Sequence, residues 1–256
     1  MTVTQQHVVI TGGGTGIGAS ITRAFAAAGA RVTIIGRRRA PLDDIATETA
    51  ATALCADVTD ADALTAALDQ ARHQNGLITT AIANAGDAQS QPFPKMTNAD
   101  LTAALDVNLH GTFTLWQACC ADMKQAGGGR MIAIASLLGL RGQNYTAAYC
   151  AAKHAVVGLT RALAIELAPQ NITVNAICPG YVDTPMLDRS IQNICDKTGV
   201  TPEAAAALLR DNLQQNYFIH PDEIAAKCLF LASDAAQTIT GEAIPIVDGT
   251  APRINR

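Results

Sequence analysis

The chain of 256 residues has little of several things. Aromatic residues make up 4% and charged residues 16%, with a single tryptophan. No apolar run is long enough to span a bilayer. The stretch Met1–His7 lacks the basic region and apolar core of a secretory signal. There is no excess of one charge: 18 basic residues face 22 acidic ones, and no basic stripe suits nucleic acid. Seven cysteines form no C-x-x-C pair, and their number is odd, so neither a zinc cluster nor a disulfide framework is expected. His7, His73, His110, His154 and His220 show no metal-ligand spacing, so no metal is expected. Cys55, Cys150, Cys178 and Cys228 sit among apolar neighbours and read as core filler. These absences point to a cytoplasmic protein without membrane or nucleic-acid partners.

What is present is core-forming. Hydrophobic residues reach 49%, and alanine, the best helix former, is the commonest residue. Such a chain buries a large core and is not disordered. No repeat, low-complexity tract or linker divides it, so residues 1–256 are expected to form one domain. Short apolar runs read as strands: His7–Thr11, Arg31–Gly36, Ala53–Ala56, Thr79–Ala83, Arg130–Ala135, Thr173–Cys178 and Ala243–Val247. Helical segments alternate with them: Gly16–Ala28, Pro41–Ala51, Ala61–Gln74, Ala99–Gln125, Ala147–Ala168 and Asp222–Ala232. Alternation of this kind predicts an α/β fold, a doubly wound parallel sheet of seven strands with helices on both faces, the Rossmann arrangement. Ligands bind such sheets beyond the carboxyl ends of the strands. One excursion, Thr184–His220, interrupts the alternation and reads as a helical lid (Met186–Thr198, Pro202–Gln215).

The first strand runs into Thr11-Gly12-Gly13-Gly14-Thr15-Gly16-Ile17-Gly18. A glycine turn between strand and helix lets the backbone approach a pyrophosphate, and the helix N-terminus supplies free N–H groups. A methyltransferase loop reads similarly. The second strand ends at Gly36, where an NAD-type fold usually carries an acid, and Arg37-Arg38-Arg39 follow. Guanidinium groups suit a 2′-phosphate, so Arg37 and Arg38 favour NADP, with NAD as the alternative. Asp57 is placed either to meet an adenine amino group or to cap a helix. Tyr149 and Lys153 lie four residues apart, on one face of a helix. An ammonium beside a phenol stabilises the phenolate and lowers the phenol pKa. Ser136 follows the strand thirteen residues earlier and offers a hydroxyl to the same substrate oxygen. His154 points a quarter turn away from Lys153 and reads as surface.

Over nearly its whole length the chain resembles the short-chain dehydrogenase/reductase family. Thr11–Gly18 matches T-G-x-x-x-G-x-G, and Asn84-Ala85-Gly86 matches the N-A-G motif, with Ala83 where an extra Asn is usual. Asp57-Val58 matches the adenine-side pair, and Pro179-Gly180 the motif after the sixth strand, followed by Val182 and Thr184. Asn108, Ser136, Tyr149 and Lys153 match the catalytic tetrad. The resemblance implies hydride transfer between NADP or NAD and a carbonyl or secondary-alcohol substrate. Tyr149 would act as acid or base, Lys153 would hold the nicotinamide ribose, Ser136 would orient the carbonyl, and Asn108 would kink its helix and hold a water linked to Lys153. Thr184 would meet the carboxamide. The Pro179–Met186 stretch looks like that of 3-oxoacyl (ACP or CoA) reductases and ketoreductases, and an NAD-linked secondary-alcohol, 3-hydroxyacyl-CoA or hydroxyacid dehydrogenase is the alternative. A silent nucleotide-binding module would predict a damaged tetrad, and all four residues are present. Leu137, Leu138, Gln143 and Tyr145 are expected near the substrate, as are Met186, Leu187, Ile191 and Ile194 of the lid. Arg189, Lys197 and Arg210 would either meet an acidic carrier or be surface charges. The family implies a homotetramer or homodimer built through Ala99–Gln125, Ala147–Ala168 and the last strand; the chain ends Val247-Asp248-Gly249-Thr250 where the family more often has two glycines, so the tail Ala251–Arg256 is expected to pack differently against a neighbour.

Overall fold

The computed structural model describes residues 2–247. The tail expectation for residues 251–256, like the Asp248-Gly249-Thr250 ending, lies outside the described residues. Seven strands form one parallel sheet: β1 (His7–Thr11), β2 (Arg31–Gly36), β3 (Thr52–Cys55), β4 (Thr80–Ala83), β5 (Gly129–Ile134), β6 (Ile172–Pro179) and β7 (Ala243–Ile246). Their spatial order is β3-β2-β1-β4-β5-β6-β7. The chain therefore reverses its winding between β3 and β4, and a crevice opens beyond the carboxyl ends of β1 and β4. The central strands are mostly apolar because helices cover both faces; every residue of β1 and β6 is buried. The edge strands are more open, and β7 carries Pro245 where no further strand needs its missing N–H. Cys55 is exposed on the other edge, at the end of β3, so it is not core filler; Cys119, Cys178 and Cys228 are buried, and Cys150 is half-buried.

On one face lie α1 (Gly16–Ala27), α2 (Arg39–Thr49) and α9 (Pro221–Ala232), packed through Ile21, Phe25, Leu42 and Leu231 against Val8, Ile10 and Ile34. On the other lie α3 (Ala61–Asn75), α5 (Gly111–Gln125) and α6 (Ala147–Leu167), packed through Leu68, Leu115, Trp116 and Val156 against Val9, Met131 and Val174. Asp60 caps α3 through the Ala63 N–H, and Thr97 with Asp100 forms a reciprocal capping box on α4 (Asn98–Leu105). The helix expected over 99–125 is not continuous. It is α4 and α5 separated by a π turn, Asp106–His110. The excursion after β6 forms α7 (Pro185–Thr198) and α8 (Pro202–Leu213). Among the described residues, no helix is long and apolar enough to cross a membrane, and no cluster of three metal-type side chains occurs.

Candidate active site

The glycine turn is tied to the end of β4. Thr11 Oγ1 accepts from the N–H groups of Asn84 and Ala85, both at 3.1 Å. Asn84 Nδ2 donates to the carbonyls of Thr11 (3.0 Å) and Gly12 (3.2 Å). These bonds join the two strands that flank the crevice. Gly12 has φ +68°, a conformation that a side chain would strain. A Cβ on Gly18 would fall inside the carbonyl oxygen of Gly12, so helix and turn approach as only glycine permits. Thr15 precedes α1 without capping it by its side chain, and no acid sits in the first turn. The N–H groups around Gly16, Ile17 and Gly18 thus present the positive end of α1, which fits a pyrophosphate.

Gly14 lies against Pro41 and Leu42 of α2, so the arginine run sits beside the same turn. Arg37 is 3.8 Å from Asp57, Arg38 stands at the head of α2, and Arg39 is paired with Asp43 at 2.8 Å. Asp57 Oδ1 accepts from the Thr59 N–H and hydroxyl, at 3.0 and 2.9 Å, a local turn, and the cap of α3 is Asp60. The Val58 side chain is buried against Gly111 and does not face the crevice. A Cβ on Gly16 would meet the Thr184 side chain at 3.2 Å, so α7 begins beside the glycine turn. Pro179 ends β6, Gly180 donates its N–H to Ile246, and Val182 is buried and bridged to Ile219.

A cleft of about 320 Å³ runs from Arg37 and Asp57 past Asp87 and Val107 to Ala148 and Tyr149. Tyr149 and Lys153 share one face of α6, with the Lys153 Nζ 5.6 Å from the centre of the Tyr149 ring. Ser136 stands near enough to Tyr149 to pull its pKa down, and its Oγ accepts from the Leu138 N–H at 3.1 Å. Lys153 is buried and donates to the Ile134 carbonyl at 2.9 Å. Burial pushes Lys153 down to about 8, since an ammonium loses hydration there. The expected lowering of the Tyr149 phenol is not what this arrangement produces: burial pushes it up to about 12, against a smaller downward pull from Ser136.

Asn108 sits inside the π turn, where Nδ2 donates to the Asp87 (3.0 Å) and Ala104 (2.9 Å) carbonyls. Its own carbonyl is taken by Thr112 Oγ1 at 2.8 Å. Its Oδ1 is buried without a partner, and both this atom and Lys153 Nζ lie against Gly86. His154 is exposed, with Nδ1 on the Cys150 carbonyl. Leu187 is buried on α7, and Met186, Ile191 and Ile194 are half-buried.

The model of the family described as "short chain dehydrogenase" matches residues 6–194. The chain belongs to the short-chain dehydrogenases. This dehydrogenase is 38% identical over 245 residues to a galactitol 2-dehydrogenase (L-tagatose-forming) from Cereibacter sphaeroides, covering 94% of this chain and 92% of that protein. It is 36% identical over 240 residues to an acetoacetyl-CoA reductase from Shinella zoogloeoides, covering 92% and 94%. A crystal structure of actinorhodin polyketide ketoreductase with NADPH has a TM-score of 0.91 and 28% identity, covering 97% and 98%. The dehydrogenase acts on an alcohol or a ketone.

Three groups at the site escaped the sequence reading of this dehydrogenase. Thr11 holds two amides of the N-A-G turn, and its place at the head of the glycine motif was the available signal. The Ile134 carbonyl receives Lys153, a backbone role that residue identity does not reveal. Asp87 is 3.4 Å from Arg189, while Lys197 donates to the Ser90 carbonyl at 3.2 Å and Asn193 to the Ser90 hydroxyl at 3.2 Å. Arg189 and Lys197 thus fasten α7 to the loop after β4, and Arg210 lies over the Phe218 ring at 5.3 Å.

Proposed function

We propose that this dehydrogenase moves a hydride between NADP(H) and a ketone or secondary alcohol, in one domain whose α7–α8 segment is the substrate lid. The observation that carries the reading is the cleft itself, with Arg37 at one end and Tyr149, neighboured by Lys153, at the other. Gly12, Thr15, Gly16, Ile17 and Gly18 would cradle the pyrophosphate, and Arg37 and Arg38 would meet the 2′-phosphate. Asp57 and Val58 would border the adenine, and Val58 would do so through its backbone. Asn84, Ala85, Gly86, Pro179, Gly180, Val182, Thr184 and Lys153 would line the nicotinamide end. The nucleotide supplies or accepts the hydride when bound.

The protein supplies orientation and a proton. Tyr149, kept protonated by burial, gives its phenolic proton to the carbonyl oxygen during reduction. Ser136 hydrogen-bonds the same oxygen and fixes the face presented. Lys153 places a positive charge behind the phenol, which offsets the negative charge the phenol acquires when it gives up its proton. Asn108 holds the loop carbonyl of Asp87 and faces Lys153 across Gly86. The substrate class is a ketone with a second oxygen function near the reacting carbon, a 3-oxoacyl thioester or a related oxygenated ketone. The names of the acetoacetyl-CoA reductase and the galactitol dehydrogenase represent the two kinds. Phe113, 45% exposed on α5, and Ile165, 81% exposed on α6, support a homodimer or homotetramer built through these helices.

Steady-state rates with NADPH and NADH test the nucleotide. Arg37→Ala with Arg38→Ala is expected to lower kcat/KM for NADPH about tenfold or more while leaving that for NADH nearly unchanged, since one charge-assisted contact contributes roughly 1.5–3 kcal/mol. A tight NADH preference untouched by these changes would favour the NAD-linked alcohol dehydrogenase reading.

A further inference from the structure

A second cavity, of about 520 Å³, lies at the amino ends of β4, β5 and β6, the end of the sheet away from Ser136. The turn Gly127-Gly128-Gly129 forms one wall and brings backbone to the space without side chains. Gly127 has φ +77°, which favours glycine and keeps the turn bare.

Arg130 enters this cavity from the start of β5, and its side chain is 11% exposed. Nη1 donates to the Gly129 carbonyl at 3.0 Å. Nε is sealed without a partner. Nη2 has Asp234 Oδ1 at 3.9 Å, an ion pair beyond hydrogen-bond distance. Most of the guanidinium donors are thus without an acceptor among the described residues. Burial pulls the Arg130 pKa down, and the opposite pull of Asp234 is smaller. A cation buried in this way is costly unless an anion of good geometry meets it.

The surroundings suit such an anion. Thr173 is the register partner of Arg130 across β5 and β6, so the two side chains share a face of the sheet. Thr173 is 5% exposed, lines the cavity, and its hydroxyl makes no hydrogen bond among the described residues. Gln237 and Thr238 stand exposed at the mouth. A guanidinium edge with a hydroxyl beside it matches the oxygens of one carboxylate or phosphate. The volume is larger than a bare ion needs and leaves room for a small organic body.

We infer that Arg130 and Thr173 form a second binding site, for a small molecule carrying a carboxylate or a phosphate, at the end of the sheet opposite the chemistry. The site is independent of the ketone reading. Asp234, half-exposed beside the guanidinium, opposes such a ligand by like charge, and this gives the site a signature.

Acetate and glycerol 3-phosphate are the probes, titrated calorimetrically at constant ionic strength set with chloride. At least one is expected to bind with a dissociation constant of about 1 mM or tighter, the value of two charge-assisted hydrogen bonds. The tighter of the two shows whether the natural ligand is a carboxylate or a phosphate. Arg130→Gln is expected to weaken binding at least about tenfold, and Thr173→Val about threefold. Asp234→Asn is expected to tighten it about threefold, since it removes a negative charge from beside the ligand. Arg37→Ala with Arg38→Ala, at the nucleotide end, is expected to change it less than about twofold. The side-chain N–H signals of Arg130 in the wild type should shift on saturation with the probe, and this NMR reading decides the matter if Arg130→Gln misfolds. A wild type that binds neither probe in this range overturns the inference. So does binding that leaves the Arg130 signals unmoved, or that is lost in the Arg37→Ala, Arg38→Ala variant and kept in Arg130→Gln.

Discussion

Tyr149→Phe is expected to lower kcat by about a thousandfold or more, within the 10²–10⁴ range that a positioned general acid contributes. The change removes one hydroxyl and leaves the ring. The ring packs against the cluster of Leu137, Leu138 and Leu213, so the fold should persist. Ser136 keeps the Leu138 N–H on its oxygen at 3.1 Å and stays in position. Nucleotide affinity is set at the glycine turn and the arginine run, so the dissociation constant for NADPH should move less than about twofold. Stopped-flow reduction and fluorescence titration read the two quantities separately. A variant that kept activity within tenfold would show that Tyr149 is not the acid and would revive a nucleotide-binding role without catalysis.

Lys153→Met should abolish turnover and, at neutral pH, make the protein more stable. The ammonium is 4% exposed, with the Ile134 carbonyl as its hydrogen-bond acceptor. Burial lowers its pKa from 10.5 to about 8. Below about pH 8 the group is charged in both folded and unfolded chains, and the folded state bears the full penalty, on the order of 3 kcal/mol. Between about pH 8 and 10.5 the unfolded chain holds more protons than the folded one, so stability rises with pH there. Methionine has nearly the same length and removes the charge. The Ile134 carbonyl then loses its donor, which offsets part of the gain by ~1 kcal/mol. Urea unfolding at pH 7 should show a higher midpoint for the variant. Between pH 7 and 9.5 the wild type should gain stability relative to the variant, as the penalty is relieved. Parallel curves over that interval would contradict a depressed Lys153.

The strands and most helices were legible in the sequence because a parallel sheet covered on both faces leaves an unambiguous signal. Runs such as Val8-Val9-Ile10 and Met131–Ala135 are apolar without alternation, and the alanine-rich segments between them have little choice but helix. The candidate site was legible where a residue type is forced by geometry. Gly12 and Gly18 are such positions, and so are Tyr149 and Lys153 one helical turn apart. What remained hidden depends on partners supplied by other elements. Whether Cys55 is core or surface depends on β3 being an edge. Whether Arg189 and Lys197 are free cations depends on the loop after β4 lying beneath α7. The Tyr149 pKa moves upward because of the apolar surface around it, which no local spacing reports. Gln143 and Tyr181 are far apart in the chain and meet only because the loop before α6 folds over the end of β6.

The π turn at Asp106–His110 has a consequence for how this stretch encodes its packing. A five-residue turn holds one residue more than the turns on either side, so the wheel of side chains slips by about 100° between α4 and α5. The face that α4 turns toward α6 and the face that α5 turns toward β4 and α3 are different stripes of what the chain writes as one amphipathic sentence. Asn108 is buried at this splice, and Phe113, in the first turn of α5, is 45% exposed. Two hydrophobic phases are thus spliced at a polar residue, and the splice point is where the helix touches the chemistry.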